Sequence, residues 1–133
     1  MPHHAAHNRI RSERGQTMTE FAIVLPILVV LLFGVIQFGI IFNNYVTLTD
    51  AVRAGARKAA VSRHTNPVTE GEAAVRKAAQ GLNQSDLNVT VSAPVVEHGE
   101  DVTVEATYPY QIKLLDWVIG SGRLKSTTTE RIE

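Results

Sequence analysis

Cysteine is absent from the 133 residues, so disulfide scaffolds, thiolate metal centres and cysteine nucleophiles are excluded. Net charge is absent too, with thirteen Lys and Arg balancing thirteen Asp and Glu. Residues 43–133 taken alone are just as even, carrying ten basic and eleven acidic side chains. No overall field draws the chain to nucleic acid or to an acidic surface, and no nucleic-acid partner is expected. Aromatic residues are scarce, with a single tryptophan, Trp117. No Ser, His and acid grouping and no glycine-rich phosphate loop stands out, and His64 and His98 are isolated in turn-like sequence. The expectation is a protein that is not an enzyme, with no cofactor and no metal, and with length enough for one small core.

What the chain does have is one long apolar run. From Phe21 to Phe42 the sequence FAIVLPILVVLLFGVIQFGIIF carries no charge, and Gln37 is its only polar side chain. At about 1.5 Å per residue the run makes about 33 Å of helix, enough to cross a hydrocarbon layer of roughly 30 Å. A buried core helix is the plainer alternative, but a domain this small could hardly cover every face of it. A cleaved secretory signal is the next, since Arg9, Arg11 and Arg14 precede the run. Against that reading, the run exceeds the usual h-region, and Asn43, Asn44 and Tyr45 follow it where a small-x-small site would stand. The basic residues near the two ends tie at three each: Arg9, Arg11 and Arg14 before the run, Arg53, Arg57 and Lys58 after it. Because the N-side set lies closer, the expected orientation puts the N-terminus in the cytoplasm.

The informative stretch is Arg14-Gly15-Gln16-Thr17-Met18-Thr19-Glu20-Phe21, where a glycine stands five residues before a lone glutamate at the mouth of the apolar helix. A carboxylate deep in a bilayer costs roughly 2.5–3.5 kcal/mol on insertion scales, less near the interface, so Glu20 needs a partner. The plainer account is that it sits among headgroups and favours the helix N-terminus. Pro26 lies inside the run, leaves the Ala22 carbonyl without its helical donor, and predicts a kink or local loosening.

These residues resemble the class III, prepilin-type signal of pilins. The likeness is closest to TadE-like minor pilins and pseudopilins of the tight-adherence (Flp, type IVb) pilus system. It is carried by RGQTMTEFAIVLPILVVLLFGVIQFG and continued by VTLTDAVRAGARKAA. The resemblance implies cleavage by a prepilin peptidase between Gly15 and Gln16. It implies too that Glu20, beside Phe21, becomes the fifth residue of the mature chain and meets the new α-amino group of its own or a neighbouring subunit, setting register in a filament. Further implied partners are other pilins or minor pilins, the inner-membrane assembly machinery and the lipid bilayer. The implied location is the bacterial cytoplasmic membrane, single-pass with the C-terminal part extracytoplasmic, or a pilus. His3, His4 and His7 fall in the leader expected to be removed, so no metal site is expected there. The rival reading is a signal-anchored extracytoplasmic binding module that is never cut.

Past the membrane run, Val46, Leu48, Val52, Ala56 and Ala59 form an apolar stripe that predicts one continuous helix to about Ser62. Ala51, Gly55 and Ala59, four apart, put small residues on one face, able to pack either between subunits or on the protein's own small domain. Thr65-Asn66-Pro67 breaks the helix, and Thr69 with Glu72 reads as a capping box opening a second helix over 69–80, stopped by Gly81. Its expected apolar stripe is Ala74, Val75, Ala78, Ala79 and Leu82, with Glu72 and Arg76 paired. Leu87, Val89 and Val91, then Val102, Val104, Ala106 and Tyr108, alternate as strands around a turn near Glu97-His98-Gly99, and a threonine-rich third strand covers about 124–132. Asn88-Val89-Thr90 matches a glycosylation acceptor, but inside a strand the match reads as chance. Between strands two and three, Ile112, Leu115, Trp117, Val118 and Ile119 predict a short helix or apolar loop. Its expected role is core packing, with a partner surface at Trp117 as the sharper alternative. The expected class is α+β: a long N-terminal transmembrane and stalk helix, then a small domain with one helix on a three-stranded antiparallel sheet. The expected divisions are a leader at 1–15, the helix at 16–62 and the domain at 63–133.

Overall fold

The computed structural model describes residues 7–114 and 116–133, with side chains from Gly15 onward. The chain runs α1 (His7–Ala60), α2 (Pro67–Ala78), β1 (Asn88–Ser92), β2 (Asp101–Leu114) and β3 (Trp117–Arg131). The class is α+β, and the three strands form one antiparallel sheet in the order β1-β2-β3. The chain separates into two compact units, one up to Phe38 and one from Gly39 to Glu133. The part of α1 from Gly39 to Ala60 thus belongs to the same unit as the sheet.

In the first unit every side chain from Phe21 to Ile36 is exposed, as an apolar helix without a protein partner must be. Helical assignment continues without interruption through Pro26.

In the second unit α1 changes character, because Leu48, Ala51, Val52, Ala56, Ala59 and Ala60 are buried while Arg53, Arg57 and Lys58 stay on the outer face. The helix ends at Ala60, and the Val61 and Ser62 amides still bond back to the carbonyls of Arg57 and Ala59. The start of α2 lies two residues before the expected position. Asn66, not Thr69, is the N-cap: its side-chain oxygen accepts from the N–H groups of Val68 and Thr69 at 3.1 and 3.3 Å. Pro67 then takes the first helical turn, where its missing N–H costs nothing. Asn66→Ala should therefore lower the stability of this unit by about 1 kcal/mol, whereas Thr69→Ala should leave it nearly unchanged. Denaturation midpoints of the two variants check this, and equal losses would contradict the assignment of the cap.

The C-terminal end of α2 also differs from expectation, with Ala79 leaving helical geometry before Gly81 is reached. The Gln84 amide donates to the carbonyls of Ala79 and Leu82 at 2.8 and 3.2 Å, taking up groups freed by the helix end. Gly71, Val75, Ala79 and Leu82 form the buried seam of this segment, while Ala78 faces solvent. Four-residue steps through Gly71, Val75 and Ala79 keep one face inward, and Ala78 falls off that face.

The sheet closes over the helices with Val102, Val104 and Ala106 of β2 facing inward. Together with Leu48, Ala51, Val52, Ala56, Val75, Ala79, Leu82 and Leu87 they make the core, extended at one end by Ala59, Ala60 and Ile132. The turn before β2 uses Gly99 at φ 90, in the left-handed region that glycine enters without penalty. On the outer face Thr103 and Thr129 share a hydroxyl hydrogen bond at 2.9 Å, and Lys125 meets Glu105 at 2.8 Å. Such exposed contacts order the strand pair but contribute little to stability.

The segment between strands two and three departs most from expectation. Ile112–Leu114 and Trp117–Ile119 form neither a helix nor a core loop. They continue β2 and β3, and Leu114 pairs with Trp117. Ile112, Trp117, Val118 and Ile119 are exposed. The cause is cross-strand pairing: Tyr108, Tyr110 and Ile112 continue the alternation of β2 opposite Leu124, Gly122 and Gly120 of β3. The Tyr110 ring covers Gly122 so closely that a Cβ there would lie 2.8 Å from it. Leu115 lies outside the described residues.

Candidate functional site

Three places hold the residues singled out from sequence. The first is the start of the apolar helix. Gly15 and Gln16 stand inside α1, so the peptide between them is helical in the intact chain. Gln16 Nε2 donates to Glu20 Oε1 at 3.0 Å, and the Thr19 hydroxyl donates to the Gly15 carbonyl at 2.9 Å. Both are one-turn contacts on an exposed surface. Phe21 is exposed beside them and begins the apolar run. A Cβ on Gly15 would meet nothing within 4 Å. Packing therefore does not require glycine here, and glycine in a helix costs about 1 kcal/mol relative to alanine.

The second place is the seam between α1 and α2. Ala51, Gly55 and Ala59 are all buried, and Gly55 and Ala59 face α2 of the same chain. A Cβ on Gly55 would collide with Val75 Cγ2 and lie 2.9 Å from the Gly71 carbonyl oxygen. Gly71 is the reciprocal small residue, where a Cβ would lie 3.0 Å from that of Ala59 and 3.4 Å from the Gly55 carbonyl oxygen. Two glycines face each other, and the helix backbones meet. The Lys58 and Glu70 side chains flank this contact at 3.6 Å. Gly55 and Ala59 of the stripe thus pack within the chain.

The third place is the end of the β2–β3 hairpin, where Trp117 stands 82% exposed. A shallow open concavity beside the hairpin is lined by Asp86, Pro109, Gln111 and Lys113, without an arrangement of nucleophile and base. Among the described residues no group of three or more His, Asp or Glu lies together in a way that would hold a metal ion. His3 and His4 lie outside the described residues, as does the side chain of His7.

α1 from Gly15 to Ala60 is long and apolar enough to cross a membrane, and none of its most apolar window is buried. Residues 15–57 of this same helix match the model of one protein family. The match is to TadE-like proteins. It begins at Gly15, covers the Gln16–Glu20 turn and the apolar run, and ends inside the α1–α2 seam. The TadE-like segment thus lies within the long apolar helix, and α2 and the sheet lie outside the match. Comparison with curated proteins gave no significant match. Comparison with solved structures gave none either.

Gly71 and Gly122 are the positions that sequence reasoning missed. Gly71 was visible only as a glycine near the start of an expected helix. Gly122 sat in a segment expected to be a loop, although Tyr108, Tyr110, Ile112, Gly120, Gly122 and Leu124 hold a period of two that a longer window would have shown.

Proposed function

We propose that this protein is a minor pilin or pseudopilin, cut after Gly15 by a prepilin peptidase, that takes part in assembling a tight-adherence (Flp) type pilus used in adhesion or secretion. It is no enzyme and uses no cofactor. Its division of labour is a leader at 1–15, a transmembrane and stalk helix at 16–62, and an extracytoplasmic α+β domain at 63–133. The helix anchors it once in the bacterial cytoplasmic membrane, from which it passes to a pilus or its assembly platform. The observation that carries this reading is the family match, which starts at Gly15, the last residue of the proposed leader.

Chemistry at the helix start supports the same reading. Gly15 is free of packing, so a substitution there would not disturb the fold. The Gly15–Gln16 peptide is helical, so the peptidase must open one turn, breaking the exposed one-turn contacts of Thr19 and Gln16. Cleavage then creates a cationic amine one helical turn from the Glu20 carboxylate, where an opposite charge is favoured. Partners on this reading are the peptidase, other pilins, the inner-membrane assembly machinery and lipid.

The test is the intact mass and N-terminal sequence of the protein from cells with and without a prepilin peptidase. The expected result is a chain starting at Gln16 only where the peptidase is present. A chain that keeps Met1–Gly15 in both strains would overturn the proposal in favour of an uncut, signal-anchored binding module.

A further inference from the structure

The outer half of the β2–β3 hairpin is a two-stranded ribbon that shows apolar side chains to solvent. Past the last β1 pair, Asn88 with Thr107, residues 108–114 pair with β3 alone. At its end Trp117, Val118 and Ile119 are all more than half exposed. An isolated pair of strands is marginal in water, and adjoining exposed apolar side chains mark a surface that something covers.

Contacts within the unit from Gly39 onward fix the direction of this ribbon. At one end Val102 and Ile132 pack with Ala59 and Ala60, and the Glu133 amide donates to the Ala60 carbonyl at 3.2 Å. At the other, Tyr108 and Leu124 pack on the cluster that holds Leu48 and Leu82, and the Asn83 amide donates to the Tyr108 hydroxyl at 3.3 Å. Strand β2 therefore runs antiparallel to α1, from the level of Ala60 back toward that of Leu48. The lengths agree, since six residues of strand rise about 20 Å and twelve of helix about 18 Å. From Tyr108 to Leu114 the ribbon adds about 20 Å more, whereas Phe42, the end of the apolar run, lies only about 9 Å past Leu48. Even inclined at about 60° to the helix, the ribbon advances about 10 Å along it and reaches the level of Phe42.

We infer that the hairpin tip, Trp117–Ile119 with Ile112, rests in the headgroup region of the bilayer that α1 spans and forms a second membrane contact. This rests on the reading of α1 as a membrane anchor. The tryptophan ring, apolar with one polar edge, is favoured at that depth, and Tyr45 of α1, three residues past Phe42, is a second aromatic suited to it. Lys113 and Arg123 are exposed on the ribbon, and long basic side chains can lay their stems along apolar surface while keeping the charge in water. Asp116, exposed at the turn, holds the tip among headgroups and out of the acyl chains. Lipid is the occupant because the ribbon's own helix places the tip at that level at all times, an intramolecular encounter that a free partner does not match.

Trp117 is the single tryptophan of the chain, so its emission reports the tip directly. The experiment places the full chain in phosphatidylcholine–phosphatidylglycerol nanodiscs at one copy per disc, with integration checked by alkaline extraction from vesicles of the same lipid. Blue-shifted emission, quenching by lipids brominated near the headgroup and protection from acrylamide are expected. The V118D/I119D double variant, which stays integrated, should lose all three. Water-like emission open to acrylamide in an integrated chain would overturn the inference, as would shielding from both quenchers, which would point to a protein contact. A chain that fails to integrate would instead sink the anchor reading itself.

Discussion

Gly55→Val unfolds the α+β unit or lowers its midpoint of thermal denaturation by more than about 12 °C, because a side chain at this position has nowhere to go. Even a lone Cβ collides with Val75 Cγ2 and approaches the Gly71 carbonyl oxygen to 2.9 Å. Val75 can change rotamer at modest cost, but the Gly71 carbonyl is helix backbone, so the helices must separate. Overpacking costs typically about 1–3 kcal/mol and more where backbone must move, and a domain this small has only roughly 5–15 kcal/mol in total. At about 4–8 °C per kcal/mol, a loss of about 3 kcal/mol gives the stated shift. Gly55→Ala is the sharper variant, because alanine is a better helix former by about 1 kcal/mol. The collision outweighs that gain, and a net loss of about 1–2 kcal/mol is expected. Gly81→Ala serves as the control, since a Cβ there meets nothing within 4 Å, and its effect should stay within about 0.5 kcal/mol. Hydrogen exchange of the α2 and β2 amides in detergent-solubilised full chain reads all three. Unchanged protection in Gly55→Val would mean that the helices do not meet through this face.

Gly15 and Glu20 should separate processing from assembly if the proposed function holds. Gly15→Leu keeps the fold, since the site is open and leucine is a good helix former, yet it should cut cleavage by more than about tenfold. Only ~1.4 kcal/mol of lost transition-state stabilisation is needed for that. Glu20→Ala should be cut and inserted normally, removing a charge at the edge of the apolar run, but should not enter filaments. Glu20→Gln keeps the side-chain length and a hydrogen-bonding oxygen within reach of Gln16 without the charge. If the carboxylate acts by pairing with a cationic terminus, Glu20→Gln fails just as Glu20→Ala does; if hydrogen bonding suffices, the glutamine variant assembles. The readouts are the ratio of precursor to mature chain by mass and the recovery of sheared pili. Normal piliation with Glu20→Ala would remove the pairing role.

The parts of the fold that were legible depend on residues close together in the chain. An uncharged run of apolar residues announces a helix able to cross a membrane wherever it lies, and alternation at Val102, Val104 and Ala106 shows a strand with one buried face. The α2 boundary was misplaced because two local caps competed, and Asn66 followed by Pro67 outweighed Thr69 with Glu72. Proline at the first turn comes with its φ already helical, whereas a capping box beginning at Thr69 would have left Pro67 and Val68 outside the helix. At 112–119 the apolar content suggested burial, and that step failed because hydrophobicity states a preference for leaving water without naming what replaces it.

Along the chain, residue chemistry alone decides that there is a helix long and apolar enough to cross a membrane, that Gly15 and Glu20 stand at the mouth of its apolar run, and that an α+β unit follows. These are properties of hydropathy, period and spacing, each settled within a few turns or a few strand residues. Tertiary structure alone decides that Gly55 and Ala59 are taken up by Gly71 and Val75 of the same chain, and that the hairpin outruns β1 and bares Trp117. Both depend on which distant segment arrives opposite. A small-residue stripe is equally complementary to any helix that can come close, and a strand extends for as long as its partner continues to pair with it.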